Sequence, residues 1–238
     1  MGRLCTTIYK SPSRINRRVK TQFPPHPNIA LDSQSKYFLL NLNNKFETGM
    51  TKEEQLNTIY IKEKSSQNSP LFVDGNKNIV FGEGNPNTLA MFIGEAPGRD
   101  EDIQRRPFVG RAGKLLDKAL AACSLNRNDI YITNIVKTRP NNNRTPTESE
   151  IKRCWPILEE QINIIKPKII CTLGACATTA FLKKPISITK IHGLAIPFEN
   201  VIVVPTLHPA YVLRDPQKYT YFLADLQFVA QLIKNLSK

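Results

Sequence analysis

The chain has 238 residues, 41% apolar and 22% charged, with a formal net charge of +13. That length supports one sizeable core, or one domain with an arm, and the composition is that of a globular protein. No run of 18 apolar residues occurs, which argues against a helical membrane span, and the excess of lysine and arginine points to polyanions, nucleic acid first, unless it serves only solubility.

Residues 1–31 carry six basic side chains and no acidic one, with Ser11-Pro12-Ser13 and Pro24-Pro25 opposing regular structure. A flexible basic arm is the expectation; a transit peptide and a DNA-touching arm are the alternatives. Residues 34–65 read as largely helical, so residues 1–65 form an arm with a helical extension and residues 66–238 form the main domain. Four apolar runs then read as buried strands: Leu89 to Glu95, Asp129 to Val136, Lys168 to Gly174 and Val201 to His208. Between the first two, Gly113 to Cys123 sets Leu115, Leu116, Ala119, Leu120 and Cys123 on one helical face. Thr147 and Glu150 form a capping box for a helix that buries Ile151, Cys154, Ile157, Leu158 and Ile165. A short helix is expected from Ala175 to Leu182, and Asp215 with Pro216 should open a last helix ending near Leu236. The alternation of strands and helices predicts a three-layer α/β sandwich around a central four-stranded, mostly parallel sheet.

Ligands of such sheets bind at the carboxyl ends of the strands. Those ends carry Gly94-Glu95, Asn134, Gly174 and His208, so three polar side chains converge on one rim. Each has a plain alternative: Glu95 capping a turn, Asn134 satisfying a local backbone group, His208 packed with one hydrogen bond. As a set they suit a pyrimidine. The asparagine amide presents donor and acceptor side by side, matching N3–H and O4 of uracil and mismatching cytosine. A histidine opposite can hold negative charge developing on a leaving base. Phe108 offers a flat apolar face for stacking, or is an ordinary core residue.

The stretches GEAPGRDED, RPFVGRAGKLLD, YITNIVKTRPNNNRTPT and LHPAYVLRDP occur in that order over roughly residues 66–236, and together they resemble the motifs of family 4 uracil-DNA glycosylases. The resemblance implies excision of uracil from DNA after base flipping. It implies that Phe108 stacks on the base, Asn134 reads it, His208 stabilises the departing anion, and Gly94, Glu95 and Ala96 line the pocket and help place the water. Catalysis would then rest on His208, Glu95 and Asn134. Ala96 stands where family 1 enzymes have their water-activating aspartate, which leaves Glu101 and Asp102 as nearby acids for water placement. Gly98 stands where family 1 has a methyl-excluding tyrosine, so thymine exclusion falls to another group, Glu95 being the candidate. The segment after His208 resembles the family's DNA-penetrating loop, with Leu213 as an apolar wedge, Tyr211 beside it, and Arg214 and Arg111 as phosphate contacts. A plain alternative has Tyr211 and Leu213 stapling that segment to the last helix.

The sequence departs from the family at its iron–sulfur site. The four cluster positions hold Ser66, Ser69, Thr138 and Cys154, one thiol in four, and hydroxyls ligate such clusters poorly. The expectation is therefore loss of the 4Fe–4S cluster and no metal or cofactor, with packing and hydrogen bonds tying residue 66 to the loop after Asn134. The other cysteines, Cys5, Cys123, Cys171 and Cys176, form no C-x-x-C pair and fit a reducing cytoplasm. Residues 137–147 hold no histidine, which favours hydrolysis and release over covalent capture of uracil. The expected protein is a cytoplasmic monomer acting on uracil-containing DNA in base-excision repair, with no membrane partner. Its rivals are a catalytically degenerate DNA-binding protein of the same fold and a broader deaminated-base glycosylase.

Overall fold

The computed structural model describes residues 49–237. The basic arm, Cys5 and the first part of the expected helical extension lie outside the described residues. Within them, helix α1 (Lys52–Ser65) opens on a capping box in which Thr51 and Glu54 each accept the other's backbone N–H. Strand β1 (Glu83–Gly84) and strand β2 (Ala90–Gly94) follow, then the short helix α2 (Arg99–Gln104) and helix α3 (Arg111–Ala122). Strand β3 (Tyr131–Asn134) leads to helix α4 (Glu148–Ile165), which starts on the expected Thr147–Glu150 box. Strand β4 (Ile169–Leu173), helix α5 (Ala175–Leu182), the single turn α6 (Ile188–Ile191) and strands β5 (Ile196–Phe198) and β6 (Val201–Thr206) come next. Helix α7 (Pro209–Arg214) and helix α8 (Tyr219–Leu236) close the domain.

The sheet runs β1-β3-β2-β4-β6-β5. Its four inner strands are parallel and coincide with the four apolar runs. The expected count of four is corrected to six by two antiparallel edge strands, β1 against β3 and β5 against β6. Neither edge has a sequence signature: β1 is two residues long and ends at Gly84 with φ +117°, and β5 contains Pro197, which belongs on an edge because it cannot donate to a ladder.

Alternate residues of the strands feed two cores. Met91, Ile93, Ile170 and Val203 pack beneath α1, α4 and α5 with Leu56, Ile59, Ile157, Leu158 and Phe181. Phe92, Ile132, Cys171 and Val204 pack beneath α3, α7 and α8 with Leu116, Leu120, Phe222, Leu226 and Val229. The result is the expected three-layer sandwich. Helix α1 belongs to it: Leu56 and Ile59 are buried, and Lys52 Nζ donates to the Ile165 carbonyl at the end of α4, 2.8 Å away. A second correction concerns the last helix. Asp215 makes no side-chain cap, and Pro216–Lys218 forms a separate 3-10 turn before α8 begins at Tyr219.

Candidate active site

The parallel register aligns the strand ends. Gly94 sits opposite Asn134, and Leu173 sits opposite Thr206, so the chain leaves the sheet at one rim into the turn after β2, the loop after β3, the N-terminus of α5 and the segment leading to α7. The parallel pairing continues one step further, with the Ile135 and Val136 amides donating to the Gly94 and Glu95 carbonyls.

Asn134 is 1% exposed, and its Oδ1 is the one buried side-chain polar atom without a partner among the described residues. Buried polar groups are nearly always paired, so an orphaned acceptor at a strand end points to a ligand. The asparagine is fixed from behind by Lys137, whose fully buried amine donates to the Asn134 carbonyl at 2.7 Å, to Gln161 Oε1 at 2.6 Å and to Thr133 Oγ1. Burial brings that amine down to about 7.

Gly94 lies between Asn134 and Phe108. A Cβ there would stand 2.4 Å from both Asn134 Oδ1 and Phe108 Cζ, so only glycine lets the backbone approach this closely. Phe108 holds φ +50°, an uncommon conformation for a bulky residue, and its ring faces His208 at 6.0 Å between centroids with planes 37° apart. His208 Nδ1 accepts the Ala210 amide at 3.1 Å, which puts the proton of the neutral ring on Nε2. Burial, with Arg214 adding to it, lowers His208 to about 4, so the ring is neutral at pH 7. Gly174, at φ +93°, makes room for it: a Cβ there would lie 2.8 Å from His208 Cβ.

Glu95 is half-buried, and burial raises its carboxyl above the ordinary range, with the neighbouring Cys176 and Thr145 side chains pulling the other way. Cys176 in turn is pushed up to about 12 by burial and by the Glu95 charge, so it is a thiol rather than a thiolate. Ala96 packs against the core beside it. Neither Cys176 nor Thr145 was a sequence candidate for this rim. The only signal for Cys176 was its place two residues after the Gly174 strand end.

The neighbouring acids are engaged within the fold, Glu101 through both oxygens and Asp102 through Oδ1. Glu101 accepts the Gly98 amide with Oε2 and the Val109 and Gly110 amides with Oε1, at 3.1, 2.9 and 2.7 Å. Asp102 accepts from Asn76 Nδ2 at 2.7 Å. The crowding of acids after Pro97 reflects the first turn of α2, where negative charge offsets the free amides of the helix end.

Arg111 is exposed in the first turn of α3, and Arg214 is exposed at the end of α7. The segment after His208 is helical rather than an open loop; Val212 is its buried anchor, Tyr211 packs against the core, and Leu213 lies partly exposed outside both cores. Two open grooves of about 570 and 630 Å³ lie elsewhere, one along α1 and β1, the other beside Trp155 and Phe198. No residue of the rim lines either one.

A model of the Uracil DNA glycosylase superfamily matches residues 81–236. The chain belongs to this superfamily. It is 45% identical over 167 residues to the Type-4 uracil-DNA glycosylase of Thermotoga maritima, covering 69% of this chain and 86% of that protein. The Type-4 enzyme of Sulfurisphaera tokodaii is 44% identical over 65% of this chain and 74% of its own length. A Type-5 uracil-DNA glycosylase of Pyrobaculum aerophilum is more distant, 30% identical over 53% of this chain.

The residues at the positions where the resemblance to family 4 implies an iron–sulfur cluster do not fit one. Ser69 Oγ donates to Glu63 Oε2 at 2.6 Å and accepts the Leu71 amide. Thr138 Oγ1, fully buried, donates to the Leu71 carbonyl at 2.6 Å and accepts the Val73 amide at 3.1 Å. Cys154 Sγ reaches the Pro70 carbonyl at 3.7 Å, and burial raises its thiol, favouring the protonated form. Ser66 is exposed at the end of α1 and accepts the Asn68 amide. Among the described residues, no group of three or more His, Cys, Asp or Glu side chains could hold a metal ion, and no helix is long and apolar enough to cross a membrane.

Proposed function

We propose that the protein is a monofunctional uracil-DNA glycosylase that works without an iron–sulfur cluster, and the orphaned Asn134 Oδ1, across Gly94 from Phe108, carries the reading. A uracil flipped from DNA stacks on Phe108 and meets the Asn134 amide with N3–H and O4, an edge that cytosine cannot match. As the N1–C1′ bond breaks, the electron pair stays on the base. His208, neutral with its proton on Nε2, donates to the developing anion without itself carrying charge. Water, oriented by the Glu95 segment, forms the new bond to C1′, and the proton it loses passes through solvent to the released uracil anion. Leu213 fills the space left by the base, and Arg111 and Arg214 hold flanking phosphates. The seam of Ser69, Thr138 and Cys154 replaces the cluster by bonding the segment 69–73 directly.

The test is excision from an oligonucleotide holding one uracil, with a thymine oligonucleotide as control, in the presence of chelator. Uracil-dependent abasic sites that disappear in Asn134→Ala and His208→Ala are expected. DNA binding without cleavage by the wild type would instead make the chain a degenerate member of its superfamily. Stoichiometric iron and sulfide in anaerobically purified protein would refute the cluster-free part of the proposal.

A further inference from the structure

The stacking ring stands on a backbone that would not hold its shape alone. Phe108 is in the left-handed region, φ +50°, at the junction between α2 and α3. Four successive backbone groups there are held by two side chains of opposite charge. Arg127, in the 3-10 turn ahead of β3, donates from Nη2 to the Pro107 carbonyl and from Nη1 to the Phe108 carbonyl at 3.2 Å. Glu101 takes the next two amides, Val109 and Gly110. The guanidinium is itself pinned by Glu83 Oε1, at 3.1 Å from Nε and 2.8 Å from Nη2, and by Asp117 Oδ1 at 2.7 Å from Nη1. Its side chain is only 18% exposed. Gly113 completes the seat, since a Cβ there would lie 1.8 Å from the Phe108 carbonyl oxygen.

We infer that Arg127 is a positioning residue for base recognition: its planar fork fixes the Pro107–Phe108 carbonyls and thereby the plane of the stacking ring. The inference rests on the functional reading above. Arginine suits the task because one rigid, always-charged group spans two carbonyls and two carboxylates from separate elements, which the single ammonium of lysine cannot do. Arg127 touches neither base nor DNA in this account. Its effect passes through Phe108, and that makes it separable from a general structural role.

The experiment is a double-mutant cycle on the full chain, with Arg127→Met and Arg127→Lys made in the wild type and in Phe108→Ala. Single-turnover uracil excision and inhibition by free uracil are measured beside the thermal midpoint of each protein. Arg127→Met should lower kcat/KM by about 10²-fold, the scale of a reacting group displaced by about 1 Å, and weaken free uracil. Arg127→Lys, which keeps the charge opposite Glu83, should fold and still lose most of that activity. In Phe108→Ala neither change should cost more than about twofold, since the ring that Arg127 positions is gone. Undiminished excision by both single variants overturns the inference, as does a full multiplicative loss in the Phe108→Ala background. If Arg127→Met does not fold, Arg127→Lys decides by the same two criteria. Failure of the wild type to excise uracil overturns the functional reading itself, whereas wild-type excision with indifferent Arg127 variants overturns this inference alone.

Discussion

Asn134 and Thr138 stand four residues apart, both buried, and the fold treats their polar side chains in opposite ways. Thr138 Oγ1 uses its proton on the Leu71 carbonyl and a lone pair on the Val73 amide. Asn134 Oδ1 has no partner among the described residues. A buried polar atom left unpaired costs about 1–3 kcal/mol, so the contrast separates a seam whose polar atoms are paired within the fold from the rim proposed above to take the base. Substitutions on the two sides should therefore move different observables.

The largest effect is expected on the rim. Asn134→Ala should reduce uracil excision by about 10²–10³-fold, the scale seen when a single preorganised polar contact to a reacting group is removed. The thermal midpoint should hold steady or rise, because the change deletes an unsatisfied acceptor. Gly94→Ala should be comparably inactive, since its Cβ would intrude on both Asn134 Oδ1 and Phe108. Single-turnover kinetics and a melting curve on the same samples check both. A marked loss of stability in Asn134→Ala would mean that the amide serves the fold after all.

The seam should show the reverse. Thr138→Val keeps the shape but leaves the Leu71 carbonyl and the Val73 amide, both in fully buried residues, without their bonds. Urea unfolding should report a loss of about 1–3 kcal/mol per orphaned group, with excision unchanged at a temperature where the variant is folded. An active-site defect in stable Thr138→Val would erase the distinction between the two regions.

The same contrast explains what could be read in the sequence. The four inner strands are long apolar runs buried on both faces, and burial on both faces leaves a pattern that composition alone reveals. Their ends then locate Glu95, Asn134 and His208, because parallel topology puts carboxyl ends on one rim. Phe108 was visible as an aromatic residue in a glycine-flanked stretch, but its left-handed backbone was not. That conformation is imposed by Arg127 and Glu101, whose contacts cross 19 residues in one direction and up to nine in the other. Cys176 and Thr145 met Glu95 only through the arrangement of α5 and the loop after β3, and a thiol or hydroxyl carries no mark of such a neighbour. The edge strands were too short to have a period. The seam was legible as an absence of cysteines, while the bonds made by the replacing hydroxyls belong to tertiary structure.

A smaller effect concerns pH. His208 is lowered to about 4 from an ordinary value near 6.5. Between those values the unfolded chain binds a proton that the folded chain does not, so this contribution to stability is complete above pH 6.5 and shrinks as the pH falls towards 4. Excision should correspondingly show no histidine inflection near 6.5. Its acid limb from this group should lie near 4, and His208→Ala should remove both the acid limb and most of the activity. A kcat/KM profile across pH 4–8 measures this. An inflection at 6.5 in the wild type that is lost in His208→Ala would mean that the imidazolium is the working form.

The smallest effect is expected at Arg214, which links the rim to the surface. Its exposed guanidinium, proposed above to hold a flanking phosphate, also helps hold His208 neutral. Arg214→Gln should weaken DNA binding modestly and reduce the slope of log K against log salt by roughly 0.9 for duplex DNA, one phosphate contact. The acid limb of the His208→Ala-sensitive activity should move up, since the nearby positive charge that disfavours the imidazolium is gone. Salt titration of DNA binding and the pH profile of the same variant are independent readouts. A changed salt slope with an unmoved acid limb assigns Arg214 to docking alone. The opposite pair of results assigns it to the rim, where an exposed arginine would be tuning the half-buried His208.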